Sequence, residues 1–214
     1  MMKKFELSEL EELIAHGEGD RLEFKKTITH LNKIARTLAA FANTRGGIIL
    51  VGVLDNGKIC GIDPEEEKHS LQKAADFYCD PPVRLFFKEI EHDNELTVLK
   101  IIVPESRQKP HLAKSNENDW RGYVRVKDES VQTSKMVLHS LKTEDAVKPS
   151  YEPITKQETI LLLQFQRQPR ITLKQFMHLA NISQQRASRI LVTLVLHGII
   201  RLHDQEKEPY YTLS

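Results

Sequence analysis

The alternation of apolar and polar positions divides the chain into short elements bounded by glycine, proline or asparagine. "LSELEELIAHGEG" carries Ser8 and Glu11 in capping-box spacing, sets Leu10, Leu13 and Ile14 on one side and stops at Gly17, which predicts a short first helix. "RLEFKKT" alternates Leu22 and Phe24 against Arg21, Glu23 and Lys25, the period of a half-buried strand with Glu23 and Lys25 on one face. "LNKIARTLAAFAN" repeats Leu31, Ile34, Ala35, Leu38, Ala39 and Ala42 at the spacing of a core-facing helix, and its alanines permit close approach to a sheet. Asn43, Gly46 and Gly47 should end that helix, because Asn and Gly reach the left-handed conformation most easily. "GIILVGV" then reads as an apolar strand, "DNG" as a tight turn beginning at Asp55, and "KICGI" as the returning arm of a hairpin.

Downstream, "PEEEKHSLQKAADFYC" predicts a helix whose leading acids suit the helix dipole. "VRLFFKEIEHDNELTVLKIIVP" predicts two strands around the polar "HDNE" turn, "GYVRVKD" one more strand, and "SKMVLHSLK" a closing helix. The aperiodic stretch "EDAVKPSYEP" contains the linker, so the expected division is a core over 1–145, a linker over 146–154 and a second domain over 155–214. In that second domain Thr155 with Glu158 and Thr172 with Gln175 form capping boxes, Ile171 and Phe176 sit at staple positions, and Ser183 can cap a third helix. The third helix buries Ala187, Ile190, Leu191, Leu194 and Val195 and turns Gln185, Ser188 and Arg189 outward, and two strands follow Gly198 around a polar tip. Helix, helix, polar-faced helix and β-hairpin is the winged helix-turn-helix order.

Net charge is only +1, which argues against a protein coated in basic charge for indiscriminate nucleic-acid binding. The excess is uneven: residues 150–214 hold 8 Lys and Arg against 5 Asp and Glu, while 1–149 hold 23 against 25. Cys60 and Cys79 belong to no CxxC pair, and the 9 histidines lack metal-binding spacing. No apolar run of spanning length and no export signal are evident, so the expectation is a cytoplasmic protein away from the membrane.

Three features could carry chemistry. Gly46 and Gly47 follow a helix and precede a strand, the reverse of a phosphate-binding loop, so ATP binding is the least favoured reading. Glu18, Glu23 and Asp55 could converge on a divalent metal if Gly19 bends the chain and the strand before Asp55 lies beside the strand of Glu23. Lys25 could then hold a phosphate or offset developing negative charge, whereas the plainer reading makes these residues solvated surface acids and a turn former. In the second domain, Gln184, Gln185, Arg186, Ser188 and Arg189 suit base edges and phosphates, with Arg167, Arg170 and Lys174 available for backbone contacts. The tip "HDQEKE" carries three acids against one Lys and would repel phosphate, so recognition would rest on the helix.

"GDRLEFKKT", "IARTLAAFANTRGGIILVGVLDNGKICGI" and "GYVRVKDES" together resemble the Schlafen AlbA-2 family, formerly called divergent AAA-4, over roughly residues 11–142. The resemblance implies an α+β fold, a mixed sheet-and-helix AlbA-2 core, here followed by the small winged helix domain. Bacterial members are described as DNA-binding domains or transcriptional regulators, so it also implies nucleic-acid contact, to which Arg125 in "GYVRVKDES" would contribute. Animal relatives include metal-dependent endoribonucleases with an acidic triad, whose positions fall here on Glu18, Glu23 and Asp55 with Lys25 alongside. Those relatives join two copies of the unit, and this chain holds one, so a homodimer would supply the second. The favoured expectation is therefore a DNA-binding transcriptional regulator that grips duplex DNA as a homodimer and needs no cofactor. The alternative is an endoribonuclease using Mg or Mn.

Overall fold

In the computed structural model, residues 2–92, 96–133, 137, 138, 141, 155–203 and 208–214 are described, and the chain divides into two compact units, Met1–Gln132 and Thr133–Ser214. The expected linker over 146–154, most of the closing helix "SKMVLHSLK", the centre of the "HDNE" turn and most of the acidic "HDQEKE" tip lie outside the described residues.

The first unit is built on two four-stranded sheets. One has the order β1 (Leu22–Lys25), β2 (Gly47–Val51), β5 (Thr97–Val103), β4 (Phe86–Glu91); the other has β3 (Cys79–Asp80), β6 (Leu112–Asn116), β7 (Asp119–Val126), β8 (Glu129–Gln132). β1 and β2 pair in parallel, placing Glu23 opposite Ile49 and Lys25 opposite Val51. The connection between them is α2 (Leu31–Asn43), because parallel neighbours need a crossover of this kind. Strand alternation then sorts the side chains. Ile49, Val51, Leu99 and Ile101 face a core shared with α2 and with α3 (Pro64–Phe77), while Leu22, Phe24, Leu50 and Val98 face a second cluster with Leu10 of α1 (Met2–His16). This is the mixed α+β arrangement expected of the core.

Several expectations are corrected. α1 begins at Met2, so Ser8 lies inside the helix rather than at its cap, although Gly17 does end it with φ 75°. The hairpin after β2 shrinks to a single bridge, Val53 to Ile59, because Gly52 takes φ 97° and turns the chain out of the sheet; its carbonyl accepts from the amides of Cys60 and Gly61. β3, β6 and β8 were not anticipated, since their short, polar-interrupted segments give no clear period.

The second unit contains α4 (Lys156–Arg167), β9 (Ile171–Thr172), α5 (Leu173–Ala180), α6 (Gln184–Leu196), β10 (Ile200–His203) and β11 (Tyr210–Leu213), with an antiparallel sheet in the order β10, β11, β9. Both capping boxes form with reciprocal bonds, and Ser183 accepts from the Arg186 amide at 3.3 Å. Leu161, Phe165, Ile171, Phe176, Ala187, Leu191 and Tyr211 make its separate core. Burial of about 2 kcal/mol per such apolar side chain, rather than helix propensity, holds helices this short in place.

Candidate functional site

β1 presents Glu23 and Lys25 on the face opposite Leu22 and Phe24, which pack with Leu10 of α1. Glu23 is only 8% exposed, and its Oε2 accepts from Arg125 Nη2 at 2.6 Å while its Oε1 accepts from Lys25 Nζ. A carboxylate this deep persists because both oxygens meet cationic donors. Lys25 also donates to the Phe24 carbonyl at 2.9 Å, so the pair is fixed to its own strand. Glu18 sits in the bend before β1 and accepts from the Phe24 amide at 2.8 Å, which ties the bend to the strand. The adjacency of β1 and β2 on which a meeting with Asp55 depends is present.

The expected triad nonetheless does not assemble. Asp55 is exposed in the turn beyond Gly52, and among the described residues no three His, Cys, Asp or Glu side chains gather where one metal ion could reach them all. The oxygens of Glu23 that would face an ion are engaged by Arg125 and Lys25.

Arg125 also departs from expectation. Its side chain is 1% exposed, so it is closed to nucleic acid. Nη2 and Nε donate to the Gly19 carbonyl at 2.9 and 3.1 Å, Nη1 donates to Ser130 Oγ at 3.3 Å, and the guanidinium lies 4.9 Å from the centre of the Phe41 ring. The fork of donors locks the Glu18–Gly19 bend and Glu23 to β7.

Asn43 has a role that helix-capping logic missed. Fully buried, it donates from Nδ2 to the carbonyls of His111 and Tyr123 at 2.8 and 2.9 Å and accepts from the His111 amide at 2.7 Å. Thr44 follows with Oγ1 donating to the Ala40 carbonyl and accepting from the Arg125 amide. Gly46 then takes φ 68°, where an added Cβ would lie 2.6 Å from the Val103 carbonyl oxygen, and one on Gly47 would lie 2.6 Å from the Phe41 ring. "FANTRGG" is thus a clamp between α2 and both sheets, and its glycines are filled by protein rather than open to phosphate.

The family model described as Schlafen, AlbA_2 matches residues 18–134, more than half of the chain. The chain belongs to the Schlafen AlbA_2 family. No curated protein matches it. Among solved structures, similarity is found to the DIP2311 protein from Corynebacterium diphtheriae, with 17% identity, TM-score 0.45 and coverage of 88% of this chain; the chain spans only 37% of that protein. It is also similar to the N-terminal domain of a RecG-related protein, described by reference to ATP-dependent DNA helicases, from Nitrosomonas europaea. There the identity is 23%, the TM-score 0.42 and the coverage 67% of this chain and 95% of that one.

Outside the matched AlbA_2 segment, α6 carries the other expected contacts. Gln184, Gln185, Arg186 and Arg189 are exposed and Ser188 is half-buried, while Ala187, Leu191, Val192, Leu194 and Val195 are buried; Ile190 is only partly so. Gln185, Arg186 and Arg189 line a groove of about 400 Å³ with Thr155, Glu158 and Ser183, so the first turns of α4 and α6 open onto one surface. Arg167 and Lys174 are exposed, and Arg170 lies 5.5 Å from the centre of the Tyr210 ring.

Proposed function

We propose that the protein binds nucleic acid and that its C-terminal unit is a winged helix reading duplex DNA through α6, in a regulatory role and as a homodimer. The observation that carries this reading is the division of α6 into a buried apolar face and an exposed face of Gln184, Gln185, Arg186 and Arg189. Gln and Arg are the side chains whose paired donors and acceptors match adenine and guanine edges in the major groove. A dimer would double a modest set of phosphate contacts and match a two-fold operator. Membership of the AlbA_2 family supports the nucleic-acid class.

The test is salt-titrated binding of the full chain to pools of duplex DNA, with Arg189→Ala beside it. Preference for particular duplexes that the substitution weakens sustains the reading; indifference to every duplex ends it. Cleavage of structured RNA with Mn²⁺ or Mg²⁺, abolished by Asp55→Asn, would replace it with the nuclease alternative. Asp55 is the better control because Glu23→Ala would also break a buried pair with Arg125.

A further inference from the structure

Between the start of α2 and the β6–β7 turn lies a groove of about 550 Å³, which the reading through α6 leaves unused. Tyr78, His30, Asn32, Lys114, Ser115 and Asn116 line it. Lys114 Nζ is 5.8 Å from the centre of the Tyr78 ring and has no ion pair among the described residues. Arg36 sends Nη2 toward Ser115 Oγ at 3.4 Å, holds no carboxylate partner among the described residues, and has its Nε buried with no partner. Arg36 stands behind the lining, 5.7 Å from the centre of the Tyr123 ring, so the groove itself holds one lysine without a carboxylate partner among the described residues and one acid, the exposed Glu117. Trp120 is the register partner of Lys114 across β6 and β7, so the two side chains leave the same face of the sheet, and Trp120 is 37% exposed.

A lysine over one aromatic ring, with an exposed tryptophan as its cross-strand neighbour at the edge of the groove and amide side chains nearby, is a surface for phosphate beside a base. The aromatic faces are useful only to bases that are already unstacked, and a groove of this volume is too small for a duplex. We propose that this groove is a subsite for single-stranded nucleic acid, with a backbone phosphate at Lys114 and the adjoining base against Trp120. The inference rests on the nucleic-acid reading above but uses a different surface and a different form of the polymer.

Trp120 is the only tryptophan in the chain, so its emission reports on this surface directly. The full chain, carrying Arg189→Ala to disable the duplex contact, is titrated at low salt with 12-nucleotide oligo(dT), oligo(U) and, separately, an acidic peptide. Saturable quenching by either oligonucleotide, weakened about tenfold by Lys114→Ala and retained in Tyr78→Phe, supports the subsite, a tenfold loss being the scale of one charge-assisted phosphate contact. Comparison of the two oligonucleotides identifies the preferred sugar. Unchanged emission, quenching that ignores Lys114→Ala, or equal quenching by the peptide overturns it. Duplex binding by the unmodified protein with no response to single strands would sink this subsite alone. Single-strand quenching without duplex binding would sink the α6 reading alone.

Discussion

At the scale of single residues, the buried polar groups around Asn43 make the clearest demands. Asn43→Ala removes three hydrogen bonds, those to the amide and carbonyl of His111 and to the carbonyl of Tyr123, from a fully buried position. Its expected cost is about 3 kcal/mol in urea unfolding, since each orphaned buried group costs ~1–3 kcal/mol. His111 adds a pH dependence. Its Nδ1 lies 2.7 Å from the Pro81 carbonyl, which can only accept, so Nδ1 carries the proton and Nε2 accepts from Ser106 Oγ at 2.6 Å. Burial lowers the pKa of the ring from its ordinary 6.5, outweighing the Pro81 carbonyl and Asp80, which favour charge. The folded state therefore binds fewer protons than the unfolded chain just below that value. Stability from this ring is complete above pH 6.5 and declines as the pH falls toward the lower folded pKa. Unfolding curves between pH 7.5 and 5 should show this decline, and His111→Asn should flatten it.

Elements were legible where the period was long or the punctuation chemical. α2, α4, α5 and α6 were marked by their apolar repeat and by Thr155, Thr172 and Ser183, whose side chains do bond the amides that the spacing assigned to them. The face of β1 bearing Glu23 and Lys25 followed from alternation alone. What stayed hidden depends on residues far apart in sequence: Asn43 meets a histidine 68 positions away and Glu23 an arginine 102 away, and no local pattern records either partner. The role of Arg125 was misread for this reason, because arginine's usual place is the surface. The glycines offer a test at this scale. Gly46→Ala should cost at least about 2 kcal/mol, combining left-handed strain with a clash against the backbone of β5. Gly17→Ala has similar φ but open space around it and should cost only about 1 kcal/mol in the same unfolding assay.

For the whole molecule, the two units divide the chemistry. Residues 150–214 hold the basic excess, and the core carries nearly balanced charge, so attraction to a polyanion should be governed by the C-terminal unit. Arg189→Ala should weaken duplex binding across sequences and lower the slope of log affinity against log salt by about one if it contacts a phosphate. If it reads a base instead, the slope should hold and preference at one position should relax, which a salt series on two duplexes distinguishes.

The pair between Glu23 and Arg125 closes a chain segment of 102 residues. A polypeptide released progressively from its N-terminus therefore holds β1 long before the cation that makes its buried acid tolerable has been synthesised. Until β7 is present, Glu23 has only Lys25 to balance it and gains by staying in water, so β1 should add little to early compaction. The strand of Glu23 is, in this sense, timed: its geometry is completed only when nearly all of the AlbA_2 segment exists.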